Sequence, residues 1–334
     1  MQRELGRRRF LKGTMAAAAG VTAGFGREEQ TLITHLAQAS NKESPPAAGV
    51  SAAAGLGAPA LTPMGRIKDL VISRIICGGN LMGGWAHSRD LIYVSRLFKA
   101  YNTDEKIMET LQLCEQHGVN TVLTNPVSAG VINRYWRERG GKIQWISEVH
   151  PSPSEVKAGV VSAIDNGACM AYIQGAVGDR LVKQNRLDII AQTIELVKDQ
   201  GVPAGVGAHS LEVVIACEKA GVSPDFYVKT LHTGNYWSAR RPDQITEVIE
   251  NPADNFWCVD PEKTIECMKT INIPWIAFKV LAAGAIHPND GFQYAFDNGA
   301  DFVCVGMFDF QVAEDAAIGK KVLANLNRQR PWHA

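Results

Sequence analysis

The sequence predicts an α/β fold, an eight-stranded parallel (β/α)8 barrel of the TIM type. Three observations predict it. Eight short, mostly apolar runs recur from residue 71 onward, the pattern of strands buried on both faces. Longer amphipathic stretches separate them. Five of these stretches end in one phrase, a glycine and one or two residues before the next run: Gly118-Val-Asn, Gly167-Ala-Cys, Gly201-Val-Pro, Gly221-Val-Ser and Gly299-Ala-Asp. Repeated strand–helix units favour a parallel sheet, and eight of them in about 260 residues favour closure over an open sheet.

The strands are expected at Val71–Cys77, Thr121–Thr124, Ile143–Glu148, Cys169–Gln174, Ala204–Ala208, Phe226–Leu231, Trp275–Val280 and Phe302–Gly306. Among the helices, Thr103–Gln116 places Ile107, Leu111 and Cys114 on one stripe, with Thr103 as N-cap and Gly118 as the stop. Asn185–Gln200 aligns Leu187, Ile190, Ala191, Ile194 and Val197, and stops at Gly201. Leu211–Lys219 stops at Gly221. Pro261–Thr270 opens with Asp260 as cap and Pro261 in the first turn.

The barrel is expected over residues 64–334. Residues 1–29 read differently. Arg7-Arg8-Arg9-Phe10-Leu11-Lys12 precedes a run rich in Ala and Gly from Gly13 to Gly26. A positive segment followed by an apolar one resembles a twin-arginine export signal, with Val21 and Ala23 as small residues near a cleavage point. It implies the twin-arginine (Tat) translocase as a partner and a periplasmic or otherwise exported location. Such cargo folds, often around a cofactor, before transport. Residues 30–63, rich in Ala, Gly, Pro and Ser, read as a flexible linker.

Composition excludes several classes. The 334 residues carry 34 basic and 34 acidic side chains, so the net charge is zero and no nucleic-acid partner is expected. No run approaches the roughly 20 unbroken apolar residues of a membrane span. Seven cysteines without a C-x-x-C pair argue against zinc-finger and thioredoxin-type sites. Cys258 and Cys267 are the pair that export would allow to join.

In such a barrel chemistry sits at the C-terminal ends of the strands. Four of the eight histidines, His87, His150, His209 and His232, fall on that rim with Glu148. A carboxylate and two imidazoles suit a divalent metal ion, Zn or Mn or similar, so Glu148, His209 and His232 are the expected ligands. Lys279 sits in the apolar run Ile276-Ala-Phe-Lys-Val-Leu. A lysine there pairs with an acid such as Glu148, or serves as a base or Schiff-base amine. Lys279 and His150 are the expected proton carriers. Trp85, His87, Asn125, Gln174, Trp237 and Arg240 are expected to line a substrate site. The aromatic and charged rim suits a polar, ring-shaped small molecule such as a carbohydrate.

Several segments resemble the aldo/keto reductase superfamily. Ile72-Ser-Arg-Ile-Ile-Cys-Gly-Gly-Asn is similar to its opening V-S-x-L-G-L-G-T, and Glu109–Thr124 to its A-x-x-x-G-I-N-x-x-D-T-A. Pro274-Trp-Ile-Ala-Phe-Lys-Val-Leu-Ala-Ala-Gly-Ala resembles G-V-x-A-Y-S-P-L-x-x-G, and Asp301-Phe-Val-Cys-Val-Gly its last strand. The resemblance covers residues 66 to about 325 and implies the barrel. The catalytic pattern departs from the family. Thr124-Asn-Pro-Val-Ser-Ala-Gly130 stands where D-T-A-x-x-Y-G would be, and Ser147-Glu148 replaces T-K. The reading that follows is an exported metal-dependent lyase, isomerase or epimerase acting on a sugar or oxidised sugar. The alternative is a divergent NADP-dependent reductase, with Lys320, Lys321 and Arg328 available to a 2′-phosphate. A third is a barrel that binds without catalysis.

Overall fold

The computed structural model describes residues 62–85, 91–245 and 257–334. The export signal, most of the linker and His87 lie outside the described residues. Eight parallel strands close into a barrel: β3 (Ile75–Gly78), β4 (Thr121–Thr124), β5 (Gln144–Val149), β6 (Met170–Ile173), β7 (Ala204–Ala208), β8 (Phe226–Thr230), β9 (Trp275–Phe278) and β10 (Phe302–Gly306). Before them runs an antiparallel hairpin, β1 (Met64–Ile67) and β2 (Leu70–Ser73).

The run Val71–Cys77 was expected as one strand and is split between β2 and β3. The reason lies at Ser73 and Arg74. Ser73 N–H donates to Asn120 Oδ1 and its hydroxyl donates to the Ile75 carbonyl. The Arg74 guanidinium is buried, donating to the carbonyls of Asp301 and Ala334. The hairpin thus folds across the N-terminal ends of the strands, and Ile67 and Ile72 close the barrel floor.

The helices are α1 (Asn80–Gly83), α2 (Val94–Tyr101), α3 (Asp104–Gln116), α4 (Ala129–Arg139), α5 (Lys157–Asp165), α6 (Gly175–Lys183), α7 (Leu187–Asp199), α8 (Leu211–Ala220), α9 (Pro261–Lys269), α10 (Pro288–Asp297) and α11 (Asp309–Leu323). Thr103 caps α3 as expected, its hydroxyl accepting from Lys106 N–H. Asp260 stands at the N-cap of α9, but its carboxylate makes no capping bond and pairs with Lys263 instead. All five glycines of the recurring phrase hold positive φ, which lets each helix end and the chain turn back.

Strand side chains alternate with period two. Ile76, Leu123, Ile146, Met170, Val228, Ile276 and Phe302 fill the barrel interior. Val122, Trp145, Ile173, Val206, Tyr227 and Trp275 pack outward against the helices. The C-terminal tail seals the lower end. Arg330 pairs with Asp301 at 2.7 Å and donates to the carbonyls of Met268, Gly299, Ile271 and Ile273. Trp332 lies under the guanidiniums of Arg74 and Arg328, 3.8 and 3.7 Å from its ring centre.

Candidate active site

The same alternation decides what faces the mouth of the barrel. On β5, Ile146 points inward and so does Glu148. On β6, Met170 and Tyr172 point inward, and Glu148 is the register partner of Tyr172. Tyr172 donates its hydroxyl to Glu148 Oε1 at 3.1 Å. Asn125, at the end of β4, donates its amide to Glu148 Oε2 at 3.2 Å, and its own Oδ1 accepts from Val127 N–H. His150 Nε2 lies 3.2 Å from the same Oε2. Only 12% of the Glu148 side chain is exposed, against 46% of His150. One carboxylate is therefore gripped by three groups from three successive strand ends. Burial, with the Glu148 charge second, holds the Tyr172 hydroxyl well above its ordinary titration, so it keeps its proton.

Room for the Tyr172 ring comes from β7, Ala204-Gly-Val-Gly-Ala208. A Cβ at Gly207 would stand 3.0 Å from the Tyr172 ring and 2.4 Å from the Ile173 carbonyl oxygen. Gly175 plays the same part for His209, whose ring would meet a Cβ there at 3.0 Å.

His209 follows β7 and is buried. Its Nδ1 meets Asp179 Oδ2 at 2.8 Å, and the Asp179 carboxylate also accepts the backbone N–H of His209 and Ser210. Burial lowers the His209 titration to about 4, against the opposing pull of Asp179, so the neutral imidazole donates Nδ1–H to Asp179. The ring also lies 5.3 Å from Phe278.

His232 is held differently. Its Nδ1 donates to the Thr233 carbonyl at 2.9 Å, and its Nε2 accepts from Cys258 N–H at 2.9 Å. Both ring nitrogens are spent on the backbone. His232 is therefore not available to a metal, which corrects the expected ligand set of Glu148, His209 and His232. Among the described residues no group of three or more His, Cys, Asp or Glu side chains is placed to hold a metal ion.

Lys279 closes β9 in a left-handed conformation, φ 59°, uncommon for a residue with a Cβ. Its ammonium stands 5.7 Å from the Phe278 ring. The inward Cys304 thiol, pushed far up by burial, feels both Glu148, which raises it further, and Lys279, which lowers it. His209 also feels the Lys279 charge. Glu148 near the end of β5, His209 directly after β7 and Lys279 directly after β9 all stand at the C-terminal ends of parallel strands, and so at one mouth.

The other expected lining residues have local duties. Gln174 caps α6 through Val177 N–H. Arg240 donates to the carbonyls of Gln244 and Ile245 and stacks on Trp257, so its guanidinium braces its own loop. Trp85 and Trp237 are exposed. All seven cysteines are free thiols, Cys258 and Cys267 included. Arg328 is tied to Asp301 at the barrel floor, and Lys320 and Lys321 lie in the last turn of α11. A helix after a strand runs back toward the floor, so none of these three borders the mouth. A cavity of about 690 Å³ lined by Arg66, Lys68, Asp225 and Trp332 also opens at the floor. Lys68 and Asp225 there are paired at 2.8 Å, and barrel chemistry belongs to the other end.

Three groups were not anticipated from sequence: Tyr172, Asp179 and Lys229. Lys229 gave the same signal as Lys279, a lysine inside an apolar strand. Tyr172 passes as a core aromatic, and Asp179 as a surface helix residue.

No protein-family model and no curated protein matches the chain. Solved structures do. Two structures from Pseudomonas aeruginosa, both assigned to the aldo-keto reductases, are each 17% identical. One covers 78% of this chain and 94% of its own with a TM-score of 0.53. The other covers 78% and 95% with a TM-score of 0.51. The chain shares the barrel fold with them.

Proposed function

We propose that the chain is an exported lyase, isomerase or epimerase that moves a proton at the carbon next to a carbonyl of a sugar or oxidised sugar. The observation that carries this reading is the Glu148 carboxylate at the barrel mouth, met by Asn125, His150 and Tyr172 at 3.1–3.2 Å. Glu148 takes the proton from carbon, and the freed electron pair moves into the carbonyl. Lys279 offsets the negative charge that grows on the oxygen. His150, in contact with Glu148 and half exposed, passes the proton to solvent or back to substrate. His209, oriented by Asp179, is the second base. Donors and acceptors from Asn125, Tyr172 and His209 suit a polyhydroxylated substrate, and Trp85 and Trp237 offer faces to a sugar ring.

The expected metal set does not assemble, so no step is routed through a metal. Reduction with NADP has the shared barrel in its favour. The mouth speaks against it, since Asn125 and Glu148 stand where the reductases carry an Asp and a Lys, and the expected phosphate cluster lies at the floor.

The test is exchange with solvent. The protein is incubated in D₂O with a panel of aldoses, ketoses and sugar acids, and deuterium next to the carbonyl is followed by proton NMR. Exchange on one substrate class, lowered roughly 10²–10⁴-fold in Glu148→Gln, is the expected result. Absence of exchange across the panel, with saturable NADPH binding instead, overturns the reading in favour of the reductase.

A further inference from the structure

The geometry points to Lys229 as a positioning residue for His209: its buried ammonium bridges the carbonyls of His209 and Thr230 and so fixes the strand end that carries the imidazole. The inference rests on His209 acting as a base, as proposed above. Tyr227 and Lys229 share the outer face of β8, and Lys229 is 1% exposed. Its Nζ donates to the His209 carbonyl at 2.8 Å and to the Thr230 carbonyl at 3.0 Å. The Trp275 indole donates to the Lys229 carbonyl at 3.2 Å and holds the strand from the other side.

Among the described residues no carboxylate lies within ion-pair distance of this ammonium. Burial therefore works against its charge, while Asp179 and Glu212 favour it from further away. A buried cation without a carboxylate partner is a costly way to fill space that methionine would fill. What it gains is the ladder between β7 and β8 at the level of the reacting groups. Asp179 takes the N–H groups of His209 and Ser210 together with Nδ1–H, and Lys229 takes the His209 carbonyl. Two opposite charges thus grip one residue by its two backbone ends and by its ring. Neither Asp179 alone nor the strand ladder alone fixes the carbonyl end.

The test reads His209 directly and needs no substrate, so it stands or falls separately from the assigned reaction. Lys229→Met is prepared with ¹⁵N-histidine, and solvent exchange of the His209 Nδ1–H is measured by NMR at pH 7.5. His232, whose Nδ1–H is bound to the Thr233 carbonyl, serves as the internal reference. The expected result is exchange at His209 faster by roughly tenfold, the factor lost with one ordinary hydrogen bond, and unchanged exchange at His232. Equal exchange at His209 in wild type and a folded Lys229→Met overturns the inference, as does equal acceleration at both histidines. Should Lys229→Met not fold, Lys229→Arg decides. The longer side chain displaces the carbonyls, and selective acceleration at His209 supports the role, whereas unchanged exchange refutes it.

Discussion

Replacing His232 by glutamine removes a titration without removing its hydrogen bonds. An amide can donate to the Thr233 carbonyl and accept from Cys258 N–H, as the imidazole does. Burial lowers the His232 titration from 6.5 to about 4, and the charges of Lys229 and Lys279 push the same way. Between those values the unfolded chain holds a proton that the folded chain refuses. His232 therefore leaves stability complete above pH 6.5 and drains it as the pH falls toward 4. At pH 5 the loss works out at about 2 kcal/mol, from about 1.36 kcal/mol for each pH unit between the two titrations. The assay is urea unfolding followed by circular dichroism at fixed ionic strength, from pH 7.5 to 5. Comparison of wild type with His232→Gln cancels every other titrating group. Wild type should lose about 2 kcal/mol more than the variant over this range. Parallel curves would refute the argument, because they would mean that His232 is protonated in the folded chain or bound differently.

Other consequences follow from the same accounting of buried groups. Asp315 is buried with Oδ2 unpartnered, and burial raises its titration from 3.8 to about 6. Its ionisation drains stability as the pH rises from 3.8 to about 6, beyond which the loss is constant, so Asp315→Asn should gain about 1–3 kcal/mol at pH 7.5 and nothing below pH 4, read by urea unfolding. Gly207→Ala would set a Cβ 2.4 Å from a carbonyl oxygen and should cost about 1–3 kcal/mol or more; an unchanged melting temperature would show that β7 shifts freely. Arg330→Met removes one of the two arginines paired with Asp301 and strips four carbonyls of a donor, so a loss of about 3–5 kcal/mol is expected in denaturant titration. Tyr172→Phe removes one donor from Glu148 without changing ring volume. It should slow the deuterium exchange assigned to Glu148 while leaving stability within about 1.5 kcal/mol of wild type.

The sequence by itself determined the barrel. Eight apolar runs with glycine stops between them favour a closed barrel as the way to bury both faces of every strand, and Thr121–Thr124, Ala204–Ala208 and Phe302–Gly306 stand at the limits read from the pattern. It also put Glu148 and His150 on one rim, two residues apart at the end of one strand; that they touch is a finding of the structure. Tertiary structure alone decided the rest. Whether His232 turns its nitrogens to the mouth or to the backbone depends on where Cys258 N–H arrives, 26 residues later in the chain. The Tyr172–Glu148 bond depends on register between β5 and β6, and the slot for its ring on glycines of β7. Hydrophobic periodicity records which face a residue takes. It carries no record of which polar atom, brought from a distant segment, will satisfy a buried ring or ammonium. That is why Lys279 and Lys229, alike in sequence, ended in different places: one at the mouth, the other between barrel and helices.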